Sequence, residues 1–397
     1  MSTLVKTDIV IIGGGIAGLW LLNRLINQGY NAVLFEQHTL GNAQTIASQG
    51  MIHGGIKYAL SGALNAGSEA IAAMPGHWRK CLAGEGDVDL RRTRILSDHF
   101  YLWSTGSLTS KLTSFFASKM TRGRVEPTPR DRGPEVFNHA KFRGNLYKLV
   151  DLVLDVPSLL QNLAQNVQER IFKINWQTAR FVRSENGNIQ TLILNNDIQI
   201  EAQQFVFTAG EGNEFLMQQL GIQAPAMQRR PLKQVMVKHD APYALYAHCM
   251  GSNPSPRLTV SSHRAEDGKW VWYLGGDLAT EGTQDPDEIL IEKAKKELQE
   301  LFSWVNFGKT EWRTVFLNRA EPKQNNLLKP DQAFAEIAPE CKNLIVAWPT
   351  KLTLAPDMAN RVIDLVSAIV KQPEENFPAL QNLSAPEITP PLWQTEF

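Results

Sequence analysis

The sequence predicts an α/β protein in which a parallel sheet is interrupted by a mostly antiparallel α+β lobe. Three observations carry this. The apolar strand ending Ile11-Ile12 runs into Gly13-Gly14-Gly15-Ile16-Ala17-Gly18, a helical pattern follows, and a second apolar strand ends at Glu36. Short strands with turn signals fill 171–208 and 230–320. An apolar strand and a helix then return at 344–371, so elements of the first kind flank the lobe on both sides.

The opening strand, glycine turn, helix and second strand read as a Rossmann-like dinucleotide-binding unit. Gly13 permits the tight turn, Gly15 the close approach of a pyrophosphate, and Gly18 the packing of helix on sheet. The helix N-terminus offers free N–H groups and positive dipole to phosphates. Glu36 stands where a carboxylate accepts hydrogen bonds from a ribose.

Forty basic and forty acidic residues give zero formal net charge, which argues against bulk affinity for nucleic acid or anionic lipid. Cys81, Cys249 and Cys341 are far apart, without metal-ligand spacing. Such a set favours a reducing compartment over disulfides or zinc. No apolar run approaches a bilayer span, and a cytoplasmic location is expected.

Residues 41–60 are rich in small residues around His53-Gly54-Gly55, suiting close backbone approach to something flat. Helices are expected over 64–82 and 146–167, with Pro157 opening a second helix in its first turn. A strand is expected at 99–103. Residues 180–183, 189–194 and 198–200 read as short strands, with Asn186-Gly187 a hairpin turn. Phe205–Thr208 is an apolar strand delivering Ala209-Gly210 to the same site as the first turn. The lobe's strands are expected at 233–238, 258–262, 269–274 and 314–317, with a helix at 287–302 behind Asp285-Pro286-Asp287. The strand 344–348, a Pro-Thr-Lys-Leu-Thr turn and a helix near 356–371 complete the sheet domain. After Gln372 five prolines predict an extended surface tail. The resulting division is 1–90, 145–225 and 340–371 for the nucleotide-binding domain, 91–144 and 226–339 for the lobe, and 372–397 for the tail.

A nicotinamide enzyme usually completes its nucleotide domain in one block. Interleaving of this kind favours a protein that wraps FAD. The chain resembles the FAD-dependent oxidoreductases of the D-amino-acid oxidase superfamily, which include glycine oxidase, L-2-hydroxyglutarate dehydrogenase and flavin-linked glycerol-3-phosphate dehydrogenase. Besides the glycine turn, Ile52-His53-Gly54-Gly55-Ile56-Lys57-Tyr58 resembles the I-H-G-G-L-R-Y of the glycerol-3-phosphate enzymes. Lys351-Leu352-Thr353, Met358-Ala359 and Val362-Ile363-Asp364 resemble their G-K-L-T-T-Y-R-x-M-A-x-x-V-I-D run. Pro349-Thr350 stands where those enzymes have a glycine pair, and Ala355-Pro356 where they have Tyr-Arg. Only a short tail follows residue 371, where the bacterial glycerol-3-phosphate enzymes carry a helical domain.

The resemblance implies FAD contacts at Gly13, Gly15, Ile16, Ala17, Gly18, Glu36 and Gln37. It extends them to Thr45, Ser48, Gln49, Gly50, Ile52 and His53, to Val182, to Thr208, Ala209 and Gly210, and to Lys351, Leu352 and Thr353. It further implies oxidation of a small anionic substrate (a 2-hydroxy acid, an amino acid or a glycerol-3-phosphate-like molecule) by hydride transfer to flavin N5, with oxygen or quinone as electron acceptor. Three residues are the catalytic candidates. Lys351 would stabilise negative charge at flavin N1–C2=O. His53 would contact the flavin or take a proton. Arg319 would grip a substrate anion. His239, His263, Arg264, Trp272 and Tyr273, on lobe strands or their edges, are weaker candidates. Competing readings are a nicotinamide-dependent dehydrogenase and a flavin-fold binding protein without chemistry. Residues 108–124 are apolar on one face with four cations and no acid. That pattern suits peripheral contact with the inner face of a membrane or a basic helix packed on its own lobe.

Overall fold

The computed structural model describes residues 3–55, 66–105, 125–195, 197–251, 253, 255–325, 330, 332–373 and 377–397. The basic segment 108–124 and Ile56, Lys57 and Tyr58 lie outside the described residues.

The strand Thr3–Ile12 pairs in parallel with Ala32–Glu36 on one side and with Ile198–Phe207 on the other. The helix Ile16–Asn27 covers one face, burying Leu19, Trp20, Leu21, Leu22 and Leu25. Ile198–Phe207 is one continuous strand, where the sequence suggests two pieces. Its first residues pair antiparallel with Ile189–Leu194, and its last with Cys341–Trp348 in parallel. The chain thus leaves this sheet after residue 207 and re-enters it at 334. Phe334–Ala338, unanticipated from sequence, returns antiparallel on Cys341–Trp348.

The lobe is a second eight-stranded sheet, with two long antiparallel strands, Thr310–Pro322 and Met227–His239, at one edge. One face packs under the helix Asp287–Leu301 around Val235, Val237, Trp272 and Leu274. The other face looks toward the nucleotide-type sheet. The helix expected from residue 146 is corrected here. Asn145–Leu149 and Leu152–Leu154 are strands, and the helix is Val156–Asn166, with Pro157 in its first turn and the Asp155 side chain accepting from Ser158 N at 3.1 Å. Pairing with Phe100–Ser104 and Val125–Thr128 decides the state of an apolar run that is ambiguous alone. The final helix is Ala355–Val366, shorter than expected.

The tail is less free than its prolines imply. Phe377 and Leu380 are buried in the sheet domain's core. Leu40 N donates to Glu387 O at 2.7 Å, and Thr389 N to Leu40 O at 3.0 Å. Trp393 then stacks on His263 of the lobe at 4.0 Å between ring centroids. The tail therefore ties the sheet domain to the lobe.

His263 lies under that stack, and His239 sits edge-on between Trp272 and Phe307. Burial pushes both imidazoles down to about 4, against about 6.5 in an unfolded chain. A folded value below the unfolded one means that the unfolded chain takes up protons first. The stabilisation is complete above about pH 6.5 and is lost as pH falls toward 4, at roughly 1.4 kcal/mol per pH unit for each group. Tm is accordingly expected to drop steeply below pH 6.5, and His263→Phe, which keeps the stack, should shallow that drop. An identical profile in the variant would remove His263 from this account.

Candidate active site

A cavity of about 490 Å³ lies between the glycine turn and the inner face of the lobe. Its first wall is set by Gly13, whose φ is +115°. A Cβ there would come within 2.6 Å of Ala209 Cα, and one on Gly18 within 2.0 Å of Gly13 O. These two glycines serve internal packing. Thr208 locks the turn, its N–H donating to Ile12 O at 2.8 Å and its hydroxyl to Gly13 O at 3.0 Å. Gly15 differs. It precedes the helix without a side-chain cap of its own, and a Cβ on it would meet only Thr45 Oγ1, at 3.2 Å. The remaining space beside it is cavity. That is a cradle which a methyl group would fill, open beside a helix N-terminus, and it fits a pyrophosphate.

The Glu36 carboxylate is held rigidly, Oε2 accepting from Gly14 N at 2.7 Å and Oε1 from His38 N at 2.8 Å. Ile16, Ala17, Gln37, Thr45 and Ser48 share the wall. Thr45 Oγ1 accepts from Ile16 N at 3.2 Å. Ala209 N donates to Asn213 Oδ1 at 2.7 Å, and Gly210 O accepts from Trp348 Nε1 at 2.9 Å, so this turn is anchored to the re-entering strand.

His53 is buried and lines the cavity. Its backbone N–H donates to Thr353 Oγ1 at 3.1 Å, and Gly54 N to Asp151 Oδ1 at 2.7 Å. Lys351 and Leu352 line the cavity just before the final helix, with Lys351 Nζ donating to Pro330 O at 2.6 Å. Thr350 takes φ +59°, the left-handed conformation that glycine adopts most easily. Its hydroxyl donates to Gln332 O at 3.0 Å, which helps to hold the strained residue in place.

The lobe supplies Arg319, which lines the cavity from Thr310–Pro322. Its Nε donates to Arg230 O at 3.1 Å and its Nη2 to Pro231 O at 3.0 Å, fixing the guanidinium on the neighbouring strand.

Six of the residues expected from sequence do not line the cavity. Gly18 packs inside the turn. Gln49 reaches away to Tyr273 O at 3.2 Å. Gly50 is pressed against Leu154 O, and Ile52 lies wholly in the core. Thr353 supports His53 from behind, its carbonyl accepting from Trp78 Nε1 at 3.0 Å. Val182 is on the edge strand Arg180–Arg183, opposite Thr191, where hairpin pairing carries it away from the glycine turn. His239, His263, Trp272 and Tyr273 are buried within the lobe, and Arg264 stacks on Trp270.

Trp176, Gln234 and Arg230 are among the cavity residues that sequence reasoning does not reach. Trp176 lies near Glu36, because Ile174 N bonds Glu36 O at 3.0 Å. Gln234 lines the lobe wall. Arg230 does too, in a bidentate pair with the fully buried Glu321. No motif marks them, since only the register of distant strands brings them to the cavity.

The fold and the cavity thus define a dinucleotide-binding α/β protein with a lobe over its glycine turn. Residues 8–328 match the family described as FAD dependent oxidoreductase, and the chain belongs to that family. A Pseudomonas aeruginosa PAO1 protein named probable FAD-dependent oxidoreductase PA4991 is 46% identical over 398 residues, covering 100% of both chains. The crystal structure of PA4991 matches with a TM-score of 0.86 at 40% identity, again over 100% of each chain. Glycine oxidase from Geobacillus kaustophilus shares the fold with a TM-score of 0.64 at 15% identity, over 93% of this chain and 96% of that one. Membership implies FAD binding and oxidation of small substrates, and it sets the nicotinamide alternative aside.

Proposed function

We propose that the protein oxidises a small anionic substrate, a 2-hydroxy acid, an amino acid or a glycerol-3-phosphate-like molecule, by hydride transfer to flavin N5. The observation carrying this reading is Arg319, a guanidinium fixed by two carbonyls in the same cavity as the glycine turn. A cation beside a cavity favours an anionic partner. Bound FAD supplies the two-electron acceptor. The glycine turn, Thr45 and Glu36 would hold its pyrophosphate and ribose. Arg319 orients the substrate, and His53 stands in the cavity as the candidate to hold a proton at its imidazole. The lobe face excludes water from the reacting centre. A cytoplasmic location suits the three cysteines, which are buried and not joined by disulfides. Oxygen or quinone remains the proposed electron acceptor.

The test is an anaerobic screen of 2-hydroxy acids, amino acids and polyol phosphates, read by bleaching of the flavin absorbance. Reduction by neutral alcohols or amines alone would overturn the substrate class. Lys351 adds a second check. If its cation faces flavin N1–C2=O, Lys351→Met should lower the reduction potential and weaken sulfite binding at N5, because anionic products lose a stabilising charge. An unchanged potential would place Lys351 elsewhere.

A further inference from the structure

The lobe wall carries a polar side chain that the protein itself does not satisfy. Gln234 is 4% exposed and lines the cavity. Its Oε1 has no hydrogen-bond partner among the described residues. Leaving a buried polar group unpaired is costly, and such a group on a cavity wall is accounted for when a bound molecule pairs it. Rotating the amide exchanges its carbonyl and its NH2, so the group can accept or donate.

Strand register sets what lies beside it. Arg230, Leu232 and Gln234 alternate along Met227–His239 and leave the same face of the sheet. Their partners on the neighbouring strand are Arg319, Leu317 and Val315. Arg230 is occupied by Glu321. The wall therefore runs from the Arg319 guanidinium, over the leucine pair Leu232 and Leu317, to Gln234. The polar ends stand four strand residues apart, roughly 13 Å of backbone. Past Arg230, the residues of this strand that line the cavity are Leu232 and Gln234, both uncharged. Lys233, between them, pairs with Asp287.

We propose that Gln234 binds the substrate directly and determines its specificity. The group it selects is uncharged and both donates and accepts hydrogen bonds, as a carboxamide does. That group lies at the end remote from Arg319, with an apolar chain over the two leucines. An amide offers a charged group no counter-charge, whereas it meets another amide with a donor and an acceptor at once. This rests on reading the cavity as the substrate site and Arg319 as its anion anchor.

The experiment uses the FAD-loaded protein and unreactive probes. These are the monoamides of the four-, five- and six-carbon straight-chain diacids, each set against the monocarboxylate in which isopropyl replaces the carboxamide. Binding is followed by flavin absorbance and calorimetry. In the wild type at least one monoamide is expected to bind about tenfold or more tightly than its isopropyl partner. Gln234→Met, unbranched and of similar length, should bring that ratio to one or below. Gln234→Leu is the second variant. Tm should equal or exceed the wild-type value, because no unpaired amide remains buried. A structural glutamine would give a fall. FAD content and the ligand-free flavin spectrum should not change. The proposal is overturned by equal affinity within every pair in the wild type, by a ratio that survives in the variants, or by a lowered Tm in both. Loss of FAD or a shifted flavin spectrum also overturns it, because the amide would then serve the cofactor. Binding of none of the probes overturns this proposal together with the anionic-substrate reading. Flavin reduction by an anionic substrate, without any preference for the monoamides, overturns this proposal alone.

Discussion

Arg319→Leu is expected to lower kcat/KM for the true substrate by a hundredfold or more. Losing one partner of a charge-assisted pair typically costs about 2–5 kcal/mol, and each 1.4 kcal/mol is about tenfold. KM should rise, because the anchor is gone. The rate of flavin reduction should fall as well, because the anchor also sets the substrate's approach. The geometry adds a control. Arg230 O and Pro231 O both lose a donor, at about 1 kcal/mol each, so Tm should drop modestly. Arg319→Lys keeps the charge but loses the two-pronged contact, and it should recover part of the KM. FAD content should remain near wild type in both variants. Normal turnover in the leucine variant would reduce Arg319 to a strand clamp, and the substrate class would have to be rebuilt.

Gly15→Ala is expected to leave a folded protein that retains almost no FAD. The φ of −76° suits alanine, and the new methyl meets only Thr45 Oγ1, at 3.2 Å. It would instead occupy the space where a pyrophosphate approaches the helix N-terminus. Gly18→Ala should behave differently. Its methyl would lie 2.0 Å from Gly13 O and 2.8 Å from Thr208 Oγ1, so the turn itself cannot form. Circular dichroism and flavin absorbance separate the two outcomes: native spectrum without flavin for Gly15→Ala, and loss of soluble protein for Gly18→Ala. Full flavin occupancy in Gly15→Ala would refute the assignment of this turn.

The contrast between those glycines shows what a sequence can reveal. The turn, Glu36 and Thr208-Ala209-Gly210 are legible because each is local: a strand end, a tight turn and a helix start within a few residues. Arg319 and Lys351 were found only through resemblance, since nothing in their neighbours distinguishes them from solvated charges. Arg230 carries no signal in the sequence, because its pairing with Glu321 depends on the register of Met227–His239 against Thr310–Pro322. Slipping that register by one residue would turn Arg230 to the other face. Asn145–Leu154 departs from its expected helix for a related reason. Its apolar spacing suits helix or strand, and partners supplied by residues 51–52, 95–97, 100–104 and 125–128 decide. Thr350 shows the reverse case. A position usually filled by glycine is held by threonine, and a side-chain bond to Gln332 O supports the left-handed backbone.

The strand Ile198–Phe207 has a consequence for biosynthesis. Its C-terminal half needs Cys341–Trp348 as a neighbour, and five of the lobe sheet's eight strands separate the two in the chain. At about 5–20 residues per second of translation, the apolar Phe205-Val206-Phe207 edge waits on the order of ten seconds on the ribosome before its partner is made. An unpaired, aromatic parallel edge of that kind invites association with neighbouring nascent chains. Slow expression at low temperature, with chaperones in supply, should therefore raise the soluble yield far more than changes to the cavity.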